Sequence, residues 1–228
     1  MSAIVIAVGA EGPDGQQARI PAWVKDLKSF RRWAKTESFP EHGWFSYLDG
    51  ELWVDTGMEQ LLTHNGVKTE YTIVVGSLVK SEKRGYFFSD RVLLTNEDAN
   101  LSTEPDGSFA SYEALESGRV VMVPGKEEGF VELAGTPDMA LEIVSKVSVR
   151  KDTVILRDLY WKAGIPEYWL VDVRKQPLRF DILRHSARGY VASRKQDGWI
   201  KSTVFGKAFL LETTKDRLGN PQYFLRVK

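Results

Sequence analysis

Glu142 carries the most chemical content in the chain, because it interrupts an apolar strand in which Leu141, Ile143 and Val144 are its neighbours. A carboxylate in such a setting is costly to bury unless it meets a basic partner, a metal ion or an exposed edge, and on this residue alone those alternatives stay open. Two further carboxylates follow prolines: Asp106 in Glu104-Pro105-Asp106-Gly107, and Asp138 in Thr136-Pro137-Asp138. Pro and Gly around an aspartate also make an ordinary type I turn, and Asp138 could simply open a strand. Each gains chemical meaning only if the fold sets it beside Glu142. Lys146, Arg150 and Lys151 come next in the chain. A cation there would stabilise the charge of a pentacoordinate phosphorane, or else sit solvated on the surface. Asp152 has a sufficient structural reason in helix capping and the helix dipole, and Trp161, Tyr168 and Trp169 read as packing residues.

The clearest unit that could position these groups runs over 139–172: an apolar strand Met139-Ala-Leu-Glu-Ile-Val, a helix to about Ala163 stopped by Gly164 and Pro166, and a strand Glu167-Tyr-Trp-Leu-Val-Asp. The pattern predicts β-α-β with parallel strands and a right-handed crossover. Upstream, Trp23, Leu27, Phe30 and Trp33 recur at helical spacing behind Pro21 and predict a helix over 22–36. Asp49-Gly50 between two apolar runs predicts a β-hairpin. Val67, Tyr71, Val74, Val75, Leu78 and Val79 predict a helix from His64 to about Lys83, with Glu70 in its first half and Gly85 as the left-handed cap. Residues 86–133 alternate apolar runs with turn residues and predict strands and loops, arranged as a β-meander; Leu178, Phe180 and Ile182 alternate as a further strand. The whole reads as α/β or α+β, a mixed sheet with helices against it.

Composition removes several function classes. The 228 residues include no Cys and only three His, His42, His64 and His185, which excludes disulfides, thiolate sites and a cysteine nucleophile, and leaves too few imidazoles for a histidine-rich zinc site. There is no G-x-x-x-x-G-K-[ST] segment, no G-x-G-x-x-G and no G-x-S-x-G elbow. No apolar run approaches a membrane span, and Met1 to Gln17 lacks a basic region before its short apolar run, so no membrane partner and a cytoplasmic location are expected. Thirty-one basic residues balance thirty-one acidic ones, but unevenly: residues 96–145 carry a net charge of −9 and 146–195 a net of +7. Carboxylates around a metal beside a basic surface for phosphates would give that division, as would two solvated loops of opposite sign.

The block Pro137-Asp-Met-Ala-Leu-Glu-Ile-Val-Ser145, then Arg150-Lys-Asp152, Tyr160 and Ala163-Gly-Ile-Pro-Glu-Tyr-Trp-Leu-Val-Asp172, resembles the Uma-type restriction endonuclease family of the PD-(D/E)XK nuclease superfamily. Tyr47-Leu-Asp-Gly-Glu-Leu52, His64 opening a helix and Glu104-Pro-Asp106 fall in the family's order, and the resemblance spans roughly 44–185. It implies a restriction-endonuclease-like core over 44–228, with 1–43 as an N-terminal helical extension. It also implies that Asp106 and Glu142 hold Mg²⁺ (or Mn²⁺), that an attacking water activated by the metal hydrolyses a phosphodiester, and that the partner is nucleic acid, DNA first, with a homodimer as the family-level expectation. Asp138 becomes a strand-opening residue near the site, and Glu70 an accessory carboxylate on the neighbouring helix. One departure is plain: many family members carry a lysine four residues before the tyrosine matched by Tyr160, and here that position is Leu156. Val144 occupies the superfamily's other lysine position. Lys151, at the start of the same helix, is then the cation expected to serve, with catalytic residues Asp106, Glu142 and Lys151. A non-catalytic member of the fold, keeping a nucleic-acid or protein interface, is the alternative.

Overall fold

The computed structural model describes residues 4–7, 17–55, 57–126 and 128–228; most of the Met1 to Gln17 stretch lies outside them. Two six-stranded sheets and a four-stranded sheet, with helices packed on them, make a mixed α+β fold. Among the described residues no helix is long and apolar enough to cross a membrane.

The central sheet runs Val191–Ala192, Arg179–Arg184, Glu167–Asp172, Met139–Ile143, Gly107–Ser111, Gly85–Ser89. Met139–Ile143 and Glu167–Asp172 pair in parallel, as the β-α-β pattern predicts, with Leu141 opposite Trp169. On its other edge Met139–Ile143 pairs antiparallel with Gly107–Ser111, Leu141 opposite Gly107. Side chains alternate across the strand. Met139, Leu141 and Ile143 pack beneath the long helix Gly66–Ser81 and the C-terminal sheet, with Val75, Trp169 and Phe209. Ala140 and Val144 face the helix Leu156–Lys162, with Leu156, Leu159, Tyr160 and Tyr168. Glu142 shares the second face.

The second six-stranded sheet begins with the predicted hairpin, Trp44–Leu48 and Glu51–Asp55, turned by Asp49 and Gly50 at φ 49° and 94°. Residues 86–133 do form strands, but not one meander. They divide between the two sheets, and Phe130–Gly135 inserts parallel beside Leu93–Asn96. A short helix, Tyr112–Glu116, lies between them, opened by the Ser111 hydroxyl accepting from the Ala114 amide. The C-terminal sheet, Lys195–Gln196 to Pro221–Val227, is joined to the core through buried Glu167, which accepts from the hydroxyls of Ser202 and Thr203.

Three helix boundaries differ from expectation. The first helix is Leu27–Ala34, because Asp26 and Ser29 form a capping box that fixes its start. Its buried Phe30 and Trp33 pack on Phe45, Tyr47 and Leu93. The long helix is entered through a wider π turn, Leu61–Asn65. At its far end Lys83, at φ 51°, takes the left-handed position expected of Gly85. Gly85 instead begins a strand at φ 148°, where a Cβ would stand 2.1 Å from the Ala110 carbonyl oxygen, so close backbone approach is its reason.

Candidate functional site

Strand pairing brings Asp106 and Glu142 together. Asp106 sits one residue ahead of Gly107, which faces Leu141, so it stands across from Glu142 on the neighbouring strand. The Ile143 amide donates to Asp106 Oδ2 at 2.7 Å, tying the side chain to the Glu142 strand. Gly107 is needed beside it because a Cβ there would meet the Phe87 ring at 3.0 Å. Both carboxylates line a cleft of about 380 Å³. Asp55, Glu59, Glu104 and Asp152 add acidic groups to its wall, with Lys146, Lys151, Arg174 and His64 as basic ones.

Glu142 is buried, and the Tyr160 hydroxyl donates to its Oε1 at 2.6 Å from the facing helix. Burial raises its pKa well above the usual carboxylate value, Asp152 and Asp106 add to the rise, and Lys151 and the Tyr160 hydrogen bond oppose it. Asp106 behaves oppositely. Burial would raise it, but His64, Lys68 and the Ile143 amide together hold its pKa below the ordinary value. The two neighbours are therefore driven apart, one toward the neutral acid and the other toward the anion, as happens when environments differ across a shared site.

Lys151 and Asp152 enter from a second π turn, Lys151–Ile155, which leads directly into Leu156–Lys162. Burial would depress the Lys151 ammonium, but Glu142, Asp152 and Asp106 outweigh it and raise the pKa. Asp152 does not cap the helix. Its side chain accepts a hydrogen bond from the Ser148 hydroxyl and lines the cleft, and burial lifts its pKa to about 6 despite Lys151 and Ser148. The same Ser148 forms reciprocal amide-to-hydroxyl bonds with Ser145, of 2.9 and 3.1 Å, that fold the lip of the cleft. Arg174 holds this lip by donating to the Ser145 carbonyl at 3.2 Å while paired to Asp172.

Behind Asp106, Lys68 comes from the long helix, its side chain only 7% exposed. Its ammonium lies 2.5 Å from Glu59 Oε1, 3.1 Å from Asp106 Oδ1 and 3.2 Å from Asp90 Oδ1. These carboxylates overcome the effect of burial and hold the ammonium firmly protonated. His64, one turn earlier on the same face, stands between Glu59 and Asp106 at 3.4 Å from each.

The structure thus gathers Asp106, Glu142 and Lys151 around one cleft, with Lys146 at its rim. Other expected residues lie elsewhere. Glu70 is not an accessory carboxylate of this cleft, since its Oε1 accepts from the Leu225 amide at 2.8 Å and ties the long helix to the C-terminal sheet. Asp138 accepts from the Ser111 amide at 2.7 Å and pairs with Arg119. Arg150 is exposed. Leu156 is fully buried in the core cluster beside Tyr160. Sequence reasoning missed Glu59, Glu104 and Lys68. Lys68 did leave a signal, because it lies between Val67 and Tyr71 on the buried face of the long helix, where an unpaired ammonium would be costly.

Among solved structures, the fold is similar to a putative nuclease belonging to DUF820 from Anabaena variabilis. The TM-score is 0.57 at 21% sequence identity, over 79% of this chain and 90% of that one. At that identity the likeness is one of fold. No match was found among curated proteins. The sequence model of the family Uma2, described as "Putative restriction endonuclease", matches residues 27–206, which hold the cleft and the whole central sheet, and the chain belongs to that family.

Proposed function

We propose that the protein is a divalent-cation-dependent nuclease that hydrolyses phosphodiester bonds of nucleic acid, with Asp106 and Glu142 as ligands of Mg²⁺ or Mn²⁺ and Lys151 as the cation of the cleft. The observation that carries this reading is the convergence of Asp106 and Glu142 from adjacent strands on one cleft, with Lys151 held among them. The donor set suits a hard cation, which takes one or two carboxylates plus waters and substrate phosphate. Two buried oxygen atoms on the same wall, Glu104 Oε2 and Asp152 Oδ1, have no hydrogen-bond partner, as expected of a site built around positive charge. A bound ion supplies charge that polarises a phosphate and acidifies water.

The chain's own groups do the rest. The Ile143 amide fixes Asp106, and the Tyr160 hydroxyl orients Glu142, so neither carboxylate must reorganise when a substrate arrives. Lys151 offers an ammonium to the charge that builds on the phosphoryl oxygens. Lys146 places further positive charge along the lip, where a phosphate backbone would enter. Glu142, driven toward its neutral form by burial, would hold a cation as its carboxylate, with the ion's charge offsetting the cost of ionising it.

A second reading, a nucleic-acid or protein binding module without hydrolysis, draws on Leu156, whose full burial leaves no ammonium at the family's lysine position. Isothermal titration with Mg²⁺ and Mn²⁺, and cleavage of plasmid and oligonucleotide DNA and RNA, test the proposal on the wild type, Asp106→Asn and Glu142→Gln. Metal-dependent cleavage and tight binding in the wild type, both lost in the variants, are expected. Equal cation affinity in all three proteins would overturn the ligand assignment, and binding of nucleic acid without cleavage would favour the second reading.

A further inference from the structure

The C-terminal sheet turns only one of its faces to the core. Residues directly opposite one another on paired strands share a face, so the register fixes what each face carries. Ile200 stands opposite Phe209, and Phe209 opposite Val227; with Leu211 and Leu225 they pack inward. The alternate positions point outward: Trp199 and Lys201 on Trp199–Lys201, Leu210 and Glu212 on Ala208–Lys215, Phe224 and Arg226 on Pro221–Val227. Lys228 continues the register, exchanging amide bonds of 2.9 and 3.0 Å with Ala208. The outer face therefore carries two half-buried aromatic rings among three exposed cations. Each ring lies under one of them: the Lys228 ammonium is 4.0 Å from the Trp199 ring centre, and the Arg226 guanidinium carbon 5.1 Å from that of Phe224. Glu212, the one carboxylate of the face, pairs with Arg226 at 3.1 Å. Residues 195–228 hold seven basic and three acidic side chains, so this sheet is positive in a chain of zero net charge. None of its residues lines the cleft, and its last two strands lie beyond the stretch that the family model matches.

We propose that the outer face of the C-terminal sheet is a binding platform for single-stranded nucleic acid, in which bases stack on Trp199 and Phe224 while Lys201, Arg226 and Lys228 meet the phosphates. A base laid on either ring takes the place of the cation now seated there, and that cation turns to the adjacent phosphate. The exchange is favourable because stacking of a base on an aromatic ring is worth more than a cation–π pair at an exposed site. Single strands fit the face and duplexes do not, since only unpaired bases offer their flat sides to a ring. The platform also leads toward the cleft. Lys207 pairs with Glu82 just past the last turn of the long helix, beside Ala208 and Lys228. The other end of the strand Pro221–Val227 therefore lies against the π turn Leu61–Asn65, whose His64 lines the cleft. A strand running from Trp199 to Phe224 heads for that turn. Binding here does not depend on whether the cleft hydrolyses what it receives.

Fluorescein-labelled oligo(dT) and oligo(U) of about 15 nucleotides, and a duplex of the same length, test this by anisotropy in EDTA, where metal-dependent cleavage plays no part. The wild type is expected to bind one or both single strands more tightly than the duplex. Trp199→Leu and Phe224→Leu, each verified as folded by thermal melting, should each weaken that binding at least about fivefold. The double variant Lys201→Gln, Lys228→Gln changes only exposed positions, and should lower the slope of log K against log salt by about 1.4. The ¹⁹F spectrum of protein labelled with 5-fluorotryptophan locates the contact among seven tryptophans. The resonance missing from Trp199→Leu should move when oligo(dT) is added, while Trp44, on the cleft wall, reports the cleft separately. A duplex bound as tightly as the single strands, movement of Trp44 with Trp199 unmoved, or affinity and salt slope unchanged in all the variants would overturn the platform. Each of those results leaves the assignment of Asp106 and Glu142 standing, since that assignment is read from cation binding and cleavage.

Discussion

Cation binding in this cleft should be linked to protons, and the linkage follows from which groups the fold keeps neutral. Burial holds Glu142 well above the ordinary carboxylate pKa and lifts Asp152 to about 6, while Asp106 is held low. A ligand carboxyl must ionise before it binds a cation. Below the Glu142 pKa, each unit of falling pH should therefore weaken Mg²⁺ affinity about tenfold, or about 1.4 kcal/mol. Below about pH 6 the slope should steepen toward two protons per ion, because a cation beside Asp152 also displaces its proton. The sign for stability is the reverse of the usual carboxylate case. Glu142 binds its proton more tightly folded than unfolded, so its contribution to stability is greatest at acid pH and declines as pH rises from its unfolded value through its folded one. Asp106, with a lowered pKa, contributes stability above its unfolded value that is lost as pH falls. Mg²⁺ should offset the Glu142 loss, adding about 2.7 kcal/mol at a hundred times its Kd, and the ion-induced rise in Tm should grow with pH. Titration calorimetry and thermal melting from pH 5 to pH 8 measure both, and Glu142→Gln should flatten the upper limb. An affinity independent of pH in the wild type would refute the argument.

Two further outcomes follow from the ion pairs. Lys68→Met leaves Glu59, Asp90 and Asp106 without their shared ammonium, and should cost on the order of 3 kcal/mol in urea unfolding, as breaking a largely buried pair does; a change under 1 kcal/mol would show that the cluster is solvated. If the lip contacts phosphates, nucleic-acid affinity should fall steeply with salt and Lys146→Ala should reduce the slope of log K against log salt by about one; an unchanged slope would place the phosphates elsewhere.

Legibility in the sequence followed the range of the interactions. The hairpin at Asp49-Gly50 and the β-α-β unit are encoded locally, by turn chemistry and by the switch between periods of two and 3.6, and both formed as read. Glu142 was legible because a charge in an apolar strand demands a partner. Asp106 was ambiguous until antiparallel pairing set Gly107 against Leu141, a contact some thirty residues distant in sequence that no local pattern records. Asp152 was misread because the residue types that cap helices are also those that line polar clefts, and only the Ser148 hydroxyl and the cleft wall distinguish the two roles. The two π turns, which let Lys151, Asp152 and His64 enter the site, break the periodicity by which helices are recognised; such turns recur at functional sites.

Leu156 decides between the two functional readings. It lies one turn after Asp152 and one turn before Tyr160, with no exposed surface, in a cluster that includes Leu159, Tyr168 and Leu170. Leu156→Lys puts an ammonium on the helix face that carries the Tyr160 hydroxyl bound to Glu142. If its stem extends along that face, the head joins Lys151 beside Asp152 and Glu142, where Asp152 Oδ1 is buried without a hydrogen bond, and the Glu142 pKa falls. Stability would then drop by only about 1 kcal/mol and metal-dependent cleavage would rise. If the head remains among the apolar side chains, an unpaired buried ammonium destabilises the fold by several kcal/mol. The carboxylates around the helix start favour the first outcome, with Lys151 showing that an ammonium is retained there in its charged form. Urea unfolding and a plasmid cleavage assay on one preparation separate the cases. A stable variant that binds Mg²⁺ as tightly as the wild type yet cuts nothing would mean that the cleft binds its partner without hydrolysing it.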